Sequence, residues 1–125
     1  MKFTELGLNS ALLRAIEDEG YTEPTQIQAE AIPVVMAGRD VMAGAQTGTG
    51  KTAAFTLPLL QLLLIHANTS FSPARHPVRA LILVPTRELA VQVEESVRAY
   101  GRHVALRSTT VYGGMDMQGQ TDTLR

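Results

Sequence analysis

Residues Ala45-Gln46-Thr47-Gly48-Thr49-Gly50-Lys51-Thr52 constrain the chain more than any other segment. They join a strand-like run to a long apolar helical run through a glycine-rich turn ending in Gly-Lys-Thr. That is the context of a phosphate-binding loop. Successive backbone N–H groups of such a loop curl around a polyphosphate, and glycines let the main chain approach without a Cβ in the way. The helix after the loop points its positive end at the same anion. Gln46, Thr47, Gly48, Thr49 and Gly50 then line the phosphates, Lys51 reaches the β- and γ-phosphates, and the Thr52 hydroxyl joins the shell of a magnesium ion. The first position of the loop is Ala45 rather than the usual glycine, with Gly44 just before it. The competing reading is a glycine-rich turn that merely caps a helix.

At 125 residues the chain is at most one domain, and its 45% hydrophobic content suffices for a core. Eleven basic and twelve acidic residues leave a formal charge of −1, which gives no overall nucleic-acid footprint. Contact with nucleic acid must therefore come from a few placed groups. Without cysteine there is neither a disulfide nor a thiolate metal site. His66, His76 and His103 are too scattered for a metal cluster and read as surface histidines. The N-terminus carries no signal-peptide pattern. The longest apolar run, Leu57 to Ile65, contains Pro58 and Gln61 and falls short of a membrane span. A soluble, cytoplasmic protein is the expectation.

The remaining pattern alternates helices with short aliphatic runs. Asn9 or Ser10 caps a helix through about Glu19 that buries Leu12, Leu13 and Ile16 and stops at Gly20. A second helix starts at Thr25; Pro33 breaks it or opens a fresh turn, which Gly38 closes. Asp40 to Gly44 reads as a short buried strand, and Lys51 to about His66 as a mostly apolar helix with a bend expected at Pro58. Residues 67–77 form a polar, proline-bearing loop. Ala80 to Val84, bounded by Pro85, is expected as a strand buried on both faces. Thr86 caps a helix to about Tyr100, with Leu89, Val93 and Val97 inside and Gly101 at its end. Ser108 to Tyr112 makes a third strand before Gly113-Gly114, and the rest begins another helix. The fold class implied is α/β, a parallel sheet with flanking helices.

Four segments, in this order and spacing, resemble the DEAD-box RNA helicases, of the bacterial RhlE type. Gly20-Tyr21-Thr22-Glu23-Pro24-Thr25-Gln26-Ile27-Gln28 is similar to the family's Q motif, with an isolated aromatic, Phe3, seventeen residues upstream of Gly20. The phosphate loop is the second, and Ala45 is the residue that family ordinarily carries there. Pro85-Thr86-Arg87-Glu88-Leu89-Ala90 resembles motif Ia, and Gly113-Gly114 stands at the paired-glycine motif. The resemblance covers essentially all of residues 1–125 and implies a RecA-like phosphate-loop domain that uses ATP and Mg²⁺ and contacts RNA.

The resemblance also implies roles. A glutamine amide offers an acceptor and two donors, so Gln28 could face N6–H₂ and N7 of adenine together, a pairing that the O6 of guanine breaks. Tyr21 or Phe3 would supply an aromatic face for the base; Phe3 equally suits a small hydrophobic anchor for the first helix. Thr86 and Arg87, at a helix N-terminus after a buried strand, suit a nucleic-acid phosphate, against the alternative of an ordinary exposed arginine. Gly113 and Gly114 would let RNA come close to the backbone, or are simply a turn. Glu88 reads as structural, and the methionines as packing residues.

The 125 residues contain no Asp-Glu-Ala-Asp, the family's acidic motif, and no second RecA-like domain. No other carboxylate pair replaces that motif, since Glu94-Glu95 read as a solvent face and Glu17-Asp18-Glu19 as a charged helix end. The expectation is thus the N-terminal portion of the first RecA-like domain of an ATP-dependent RNA helicase, inactive in turnover as 125 residues alone. The alternatives are a non-catalytic adenine-nucleotide or RNA-binding fragment and an unrelated phosphate-loop enzyme such as a small kinase. In RecA-like folds the strand bearing the phosphate loop lies between later strands, so Asp40–Gly44 is expected to be left without neighbours.

Overall fold

Helix starts in this chain coincide with residues whose side chains can cap. Asn9 Oδ1 accepts from the Ala11 N–H at 2.8 Å, Thr25 Oγ1 from that of Gln28 at 3.4 Å, and Thr86 Oγ1 from that of Leu89 at 3.2 Å. Each satisfies a donor that the helix itself cannot. The computed structural model describes residues 1–46, 48, 50–64 and 78–111. After a short 3₁₀ helix (Phe3–Leu6) come α1 (Ser10–Asp18), α2 (Gln26–Met36), α3 (Lys51–Leu63) and α4 (Arg87–Tyr100).

Helix ends obey the same local logic. Past α1, Gly20 takes the left-handed conformation (φ 82°). The N–H of Gly20 bonds the Glu17 carbonyl at 2.9 Å, and that of Tyr21 bonds the Ile16 carbonyl at 3.2 Å. This pair of reversed bonds is a Schellman turn, which only glycine enters without strain.

Pro33 does not break α2, contrary to the expectation from sequence. It lies inside the helix at an exposed position, and packing of α2 on α3 holds the helix across it. Pro58 sits inside α3 and is buried. Leu12, Ile16, Ile32 and Leu57 are almost fully buried at the centre of the core, and Phe3, Leu60 and Tyr100 pack with them. Truncating Leu57 to alanine there would cost about 2–5 kcal/mol. Leu89, expected inside, is exposed, whereas Val93 and Tyr100 carry the inner face of α4.

The expected strands at Asp40–Gly44, Ala80–Val84 and Ser108 onward are not formed: among the described residues none belongs to a sheet. A β-strand is a property of a pair, and among the described residues these runs show no ladder partner. The expected burial of residues 80–84 on both faces is corrected accordingly. Leu81 and Leu83 stand 78% and 84% exposed, and Ile82 and Val84 between and after them are half-buried. That period-two alternation is how a single stretch of strand-like chain meets a surface on one side only. Met42 is fully exposed. Tyr112, the expected end of the third strand, lies outside the described residues.

Candidate functional site

The phosphate loop ends at the N-terminus of α3 on Gly50, whose φ of 88° is left-handed, as is that of Gly48 at 83°. Glycine tolerates both. The N-cap of α3 is Gly50, which makes no side-chain cap bond, so among the described residues this helix start differs from those of α1, α2 and α4, which are capped by Asn9, Thr25 and Thr86. An anion placed there would take the place of a capping side chain. Lys51 is exposed at the first helical position and Thr52 half-buried at the second. Gln46 and Gly48 are exposed. Thr47 and Thr49 lie outside the described residues.

Gln28 joins this loop to the segment before it. Its Oε1 accepts from the Thr25 N–H at 3.0 Å, completing a reciprocal capping box with Thr25. Its Nε2 donates to the Gly50 carbonyl at 3.2 Å, an oxygen that also accepts from the Ala54 N–H at 3.1 Å. A Cβ on Gly50 would stand 2.3 Å from Gln28 Nε2 and 3.1 Å from Thr25 Oγ1. Glycine is favoured here by φ, and any side chain would also push the Gln28 amide away from Gly50. Gln28 is only 7% exposed, with each of its amide atoms already in one hydrogen bond. Each amide atom keeps one further bonding capacity, the number a bidentate pair requires. That edge opens only if Gln28 or its cover shifts.

Of the two aromatics considered for a base, Phe3 is 5% exposed within the core. It occupies the place of a hydrophobic anchor and has no face to offer. Tyr21 is 52% exposed and directly succeeds the α1 Schellman turn. Its neighbour Tyr100 is held at the α4 end of the core; burial, with help from Tyr21 and Glu19, pushes the Tyr100 phenol up to about 12.

Thr86 and Arg87 open α4. The Thr86 hydroxyl is engaged as the cap, and Arg87 is exposed. Gly113 and Gly114 lie outside the described residues. No group of three His, Cys, Asp or Glu among the described residues could hold a metal. No helix among the described residues is long and apolar enough to cross a membrane.

Two interactions were missed from sequence. Glu94, read as solvent-facing, has a side chain only 10% exposed, 2.5 Å from Arg98 Nε, and accepts from Ser108 Oγ at 3.3 Å. His103, read as an ordinary surface histidine, places Nε2 2.7 Å from Asp18 Oδ2. The available signal was the run Glu17-Asp18-Glu19 at the negative end of α1, which calls for a distant cation.

Comparison with known proteins matches residues 25–125 to the DEAD/DEAH box helicase family. The chain is 41% identical over 123 residues to the DEAD-box ATP-dependent RNA helicase RhpA of Helicobacter pylori, covering 98% of this chain and 23% of that protein. It is 44% identical over 125 residues to the ATP-dependent RNA helicase CshA of Limosilactobacillus reuteri, covering 100% of this chain and 24% of that one. It thus spans about a quarter of the length of these relatives. Among solved structures, a DEAD box protein from Methanococcus jannaschii superposes with a TM-score of 0.84 at 34% identity, over 100% of this chain and 32% of that one. Prp28 from Chaetomium thermophilum bound to ADP superposes at 0.82 and 39%, over 95% and 28%. These structural relatives are RecA-like domains of DEAD-box helicases.

Proposed function

The chain belongs to the DEAD/DEAH box helicase family, and we propose that it is the ATP-binding, N-terminal portion of the first RecA-like domain of an ATP-dependent RNA helicase. The observation that carries this reading is the N-terminus of α3, led by the left-handed Gly50 rather than by a capping side chain and tied to Gln28. Such a terminus takes a polyphosphate through its first N–H groups and dipole. Lys51 neutralises the β- and γ-phosphates, and the Thr52 hydroxyl is the protein ligand to a phosphate-bound magnesium ion, which offsets charge on the phosphates when bound. Tyr21 stacks on the base and Gln28 reads its edge; the ADP of the Prp28 relative supports adenine as that base. Thr47 and Thr49 add to the loop. Arg87, with the first N–H groups of α4, takes a phosphate of RNA, and Gly113-Gly114 allows its backbone to come near.

In the assembled domain, segments 40–44, 80–84 and 108–112 form parallel strands between the helices, and a soluble, cytoplasmic setting fits the reading. RNA is held by phosphates, without base readout. The test is ATP-driven separation of a short RNA duplex by the protein carrying this chain. Unwinding should require ATP and disappear in Lys51→Ala; unwinding undiminished by that change would sink the reading. The alternative is a non-catalytic adenine-nucleotide or RNA-binding fragment. It predicts ADP binding without phosphate release.

A further inference from the structure

Helix α1 ends on Glu17-Asp18-Glu19 and has no basic residue in its last turn. Three carboxylates at the negative end of a helix oppose both its dipole and one another. The compensation comes from the far end of α4. Arg102 bonds Glu19 through Nη2, and its Nη1 lies 3.6 Å from Asp18 Oδ2. The Arg102 Nε donates to the Ala99 carbonyl at 2.7 Å, so the guanidinium is fixed on α4 before it reaches across. His103 Nε2 meets the same Asp18 oxygen at 2.7 Å. Two consecutive residues after α4 thus grip two consecutive residues at the end of α1.

Gly20 and Tyr21 come directly after the gripped pair, with their N–H groups bonded back to Glu17 and Ile16. Those reversed bonds exist only while the last turn of α1 is intact. If the turn frays, Gly20 loses its partner and the Tyr21 ring loses its place. Exposed ion pairs add little to global stability, so the effect of this clasp is local.

We propose that Arg102 and His103 are positioning residues for nucleobase binding: Arg102 by its charge and His103 by its hydrogen bond hold Asp18 and Glu19 at the end of α1, and with it the Tyr21 ring, in the pose that receives a base. The inference rests on the proposed function, in which Tyr21 and Gln28 bind the base. It adds residues that touch no nucleotide.

The test uses the protein carrying this chain, with Arg102→Gln, His103→Gln and the double variant, titrated with fluorescent ADP and, by competition, with inorganic tripolyphosphate. ADP binding should weaken roughly three- to tenfold in the double variant. Tripolyphosphate, which has no base, should bind as before, a split that general destabilisation would not give. Exchanging the charges, Glu19→Arg with Arg102→Glu, should recover ADP affinity relative to Arg102→Glu alone, and this holds the test open if one variant folds poorly. Tyr21→Ala separates the two ideas. If it leaves ADP affinity unchanged, the base-stacking reading fails and the proposal with it. If Tyr21→Ala weakens ADP but the clasp variants do not, or if they weaken ADP and tripolyphosphate alike, the positioning role alone is overturned.

Discussion

Gln28 donates its side-chain amide to the Gly50 carbonyl at 3.2 Å, which makes the start of α2 and the start of α3 one hydrogen-bonded unit. The residue proposed to read the base therefore also holds the last glycine of the phosphate loop. A movement of Gln28 must either carry Gly50 with it or release it, so the residue proposed for the base also touches the backbone of the loop proposed for the phosphates.

That joint distinguishes the two left-handed glycines of the loop. Gly50→Ala places a Cβ 2.3 Å from Gln28 Nε2 and adds a left-handed non-glycine residue, a strain of about 1–3 kcal/mol. Gly48→Ala meets none of the described residues within 4 Å and suffers the backbone term alone, about 1–2 kcal/mol. Thermal melts should show Gly50→Ala as the less stable, and ADP titration as the weaker binder. The reverse order would mean that Gln28 does not hold Gly50 in solution.

Base and phosphate contributions should separate by mutation. Gln28→Ala should flatten the preference for ADP over GDP, because only the base edge distinguishes the two. Lys51→Ala should weaken both equally by removing a phosphate contact. Parallel titrations with fluorescent ADP and GDP measure this, and equal affinities in the unmutated chain would remove the adenine-reading role from Gln28.

The local features of this architecture were legible because their causes lie within four residues of each other. Asn9, Thr25 and Thr86 announced helix starts, and Gly20 announced an end, through bonds between near neighbours. Pro33 misled because its penalty is a local tendency that packing against α3 overrides. The strands are not seen for the opposite reason: pairing is non-local, and among the described residues the run holding Leu81 and Leu83 shows no ladder partner. The clasp of Arg102 and His103 on Asp18 and Glu19 joins residues more than 80 positions apart, beyond any periodic pattern. The phosphate loop was readable as a motif, yet its hold on Gln28 was not, since a motif states which residues occur and not which of them touch.

Asp18 gives an acid-side prediction. The hydrogen bond from His103, aided by the charges of His103, Arg102 and Arg14, outweighs the effect of burial and holds its carboxyl below the ordinary aspartate value. A carboxyl depressed in the folded state contributes stability that is full above its unfolded value, near 3.9, and lost as pH falls through the folded one. Asp18→Asn should lack that component, so its melting temperature should fall less between pH 5 and pH 3 (about one unit either side of that value) than the parent's. Identical slopes would show that the carboxyl is unpaired in solution.

Tyr100 gives the alkaline counterpart. Burial, then the neighbouring Tyr21 and Glu19, raise its phenol to about 12. A raised value means stability that is full below the unfolded value, about 10, and lost as pH climbs toward the folded one. Tyrosinate absorbance should show one group titrating late in the parent and absent in Tyr100→Phe, and Tyr100→Phe should lose less stability across that window.

Arg87 bears on RNA. It stands exposed at the first position of α4, where the helix dipole mildly disfavours a cation and an anion bound beside it would offset that cost. A phosphate would be held by the guanidinium and the helix N–H groups together, and phosphates carry no sequence information. In the protein carrying this chain, Arg87→Ala should weaken single-stranded RNA binding about equally across sequences. It should also make the dependence of log affinity on log salt shallower by roughly one counterion. Both readouts are needed, since a lost base contact would change affinity selectively and a lost phosphate contact uniformly. If affinity and salt slope both stay as they were, Arg87 is an ordinary surface arginine and RNA is held elsewhere.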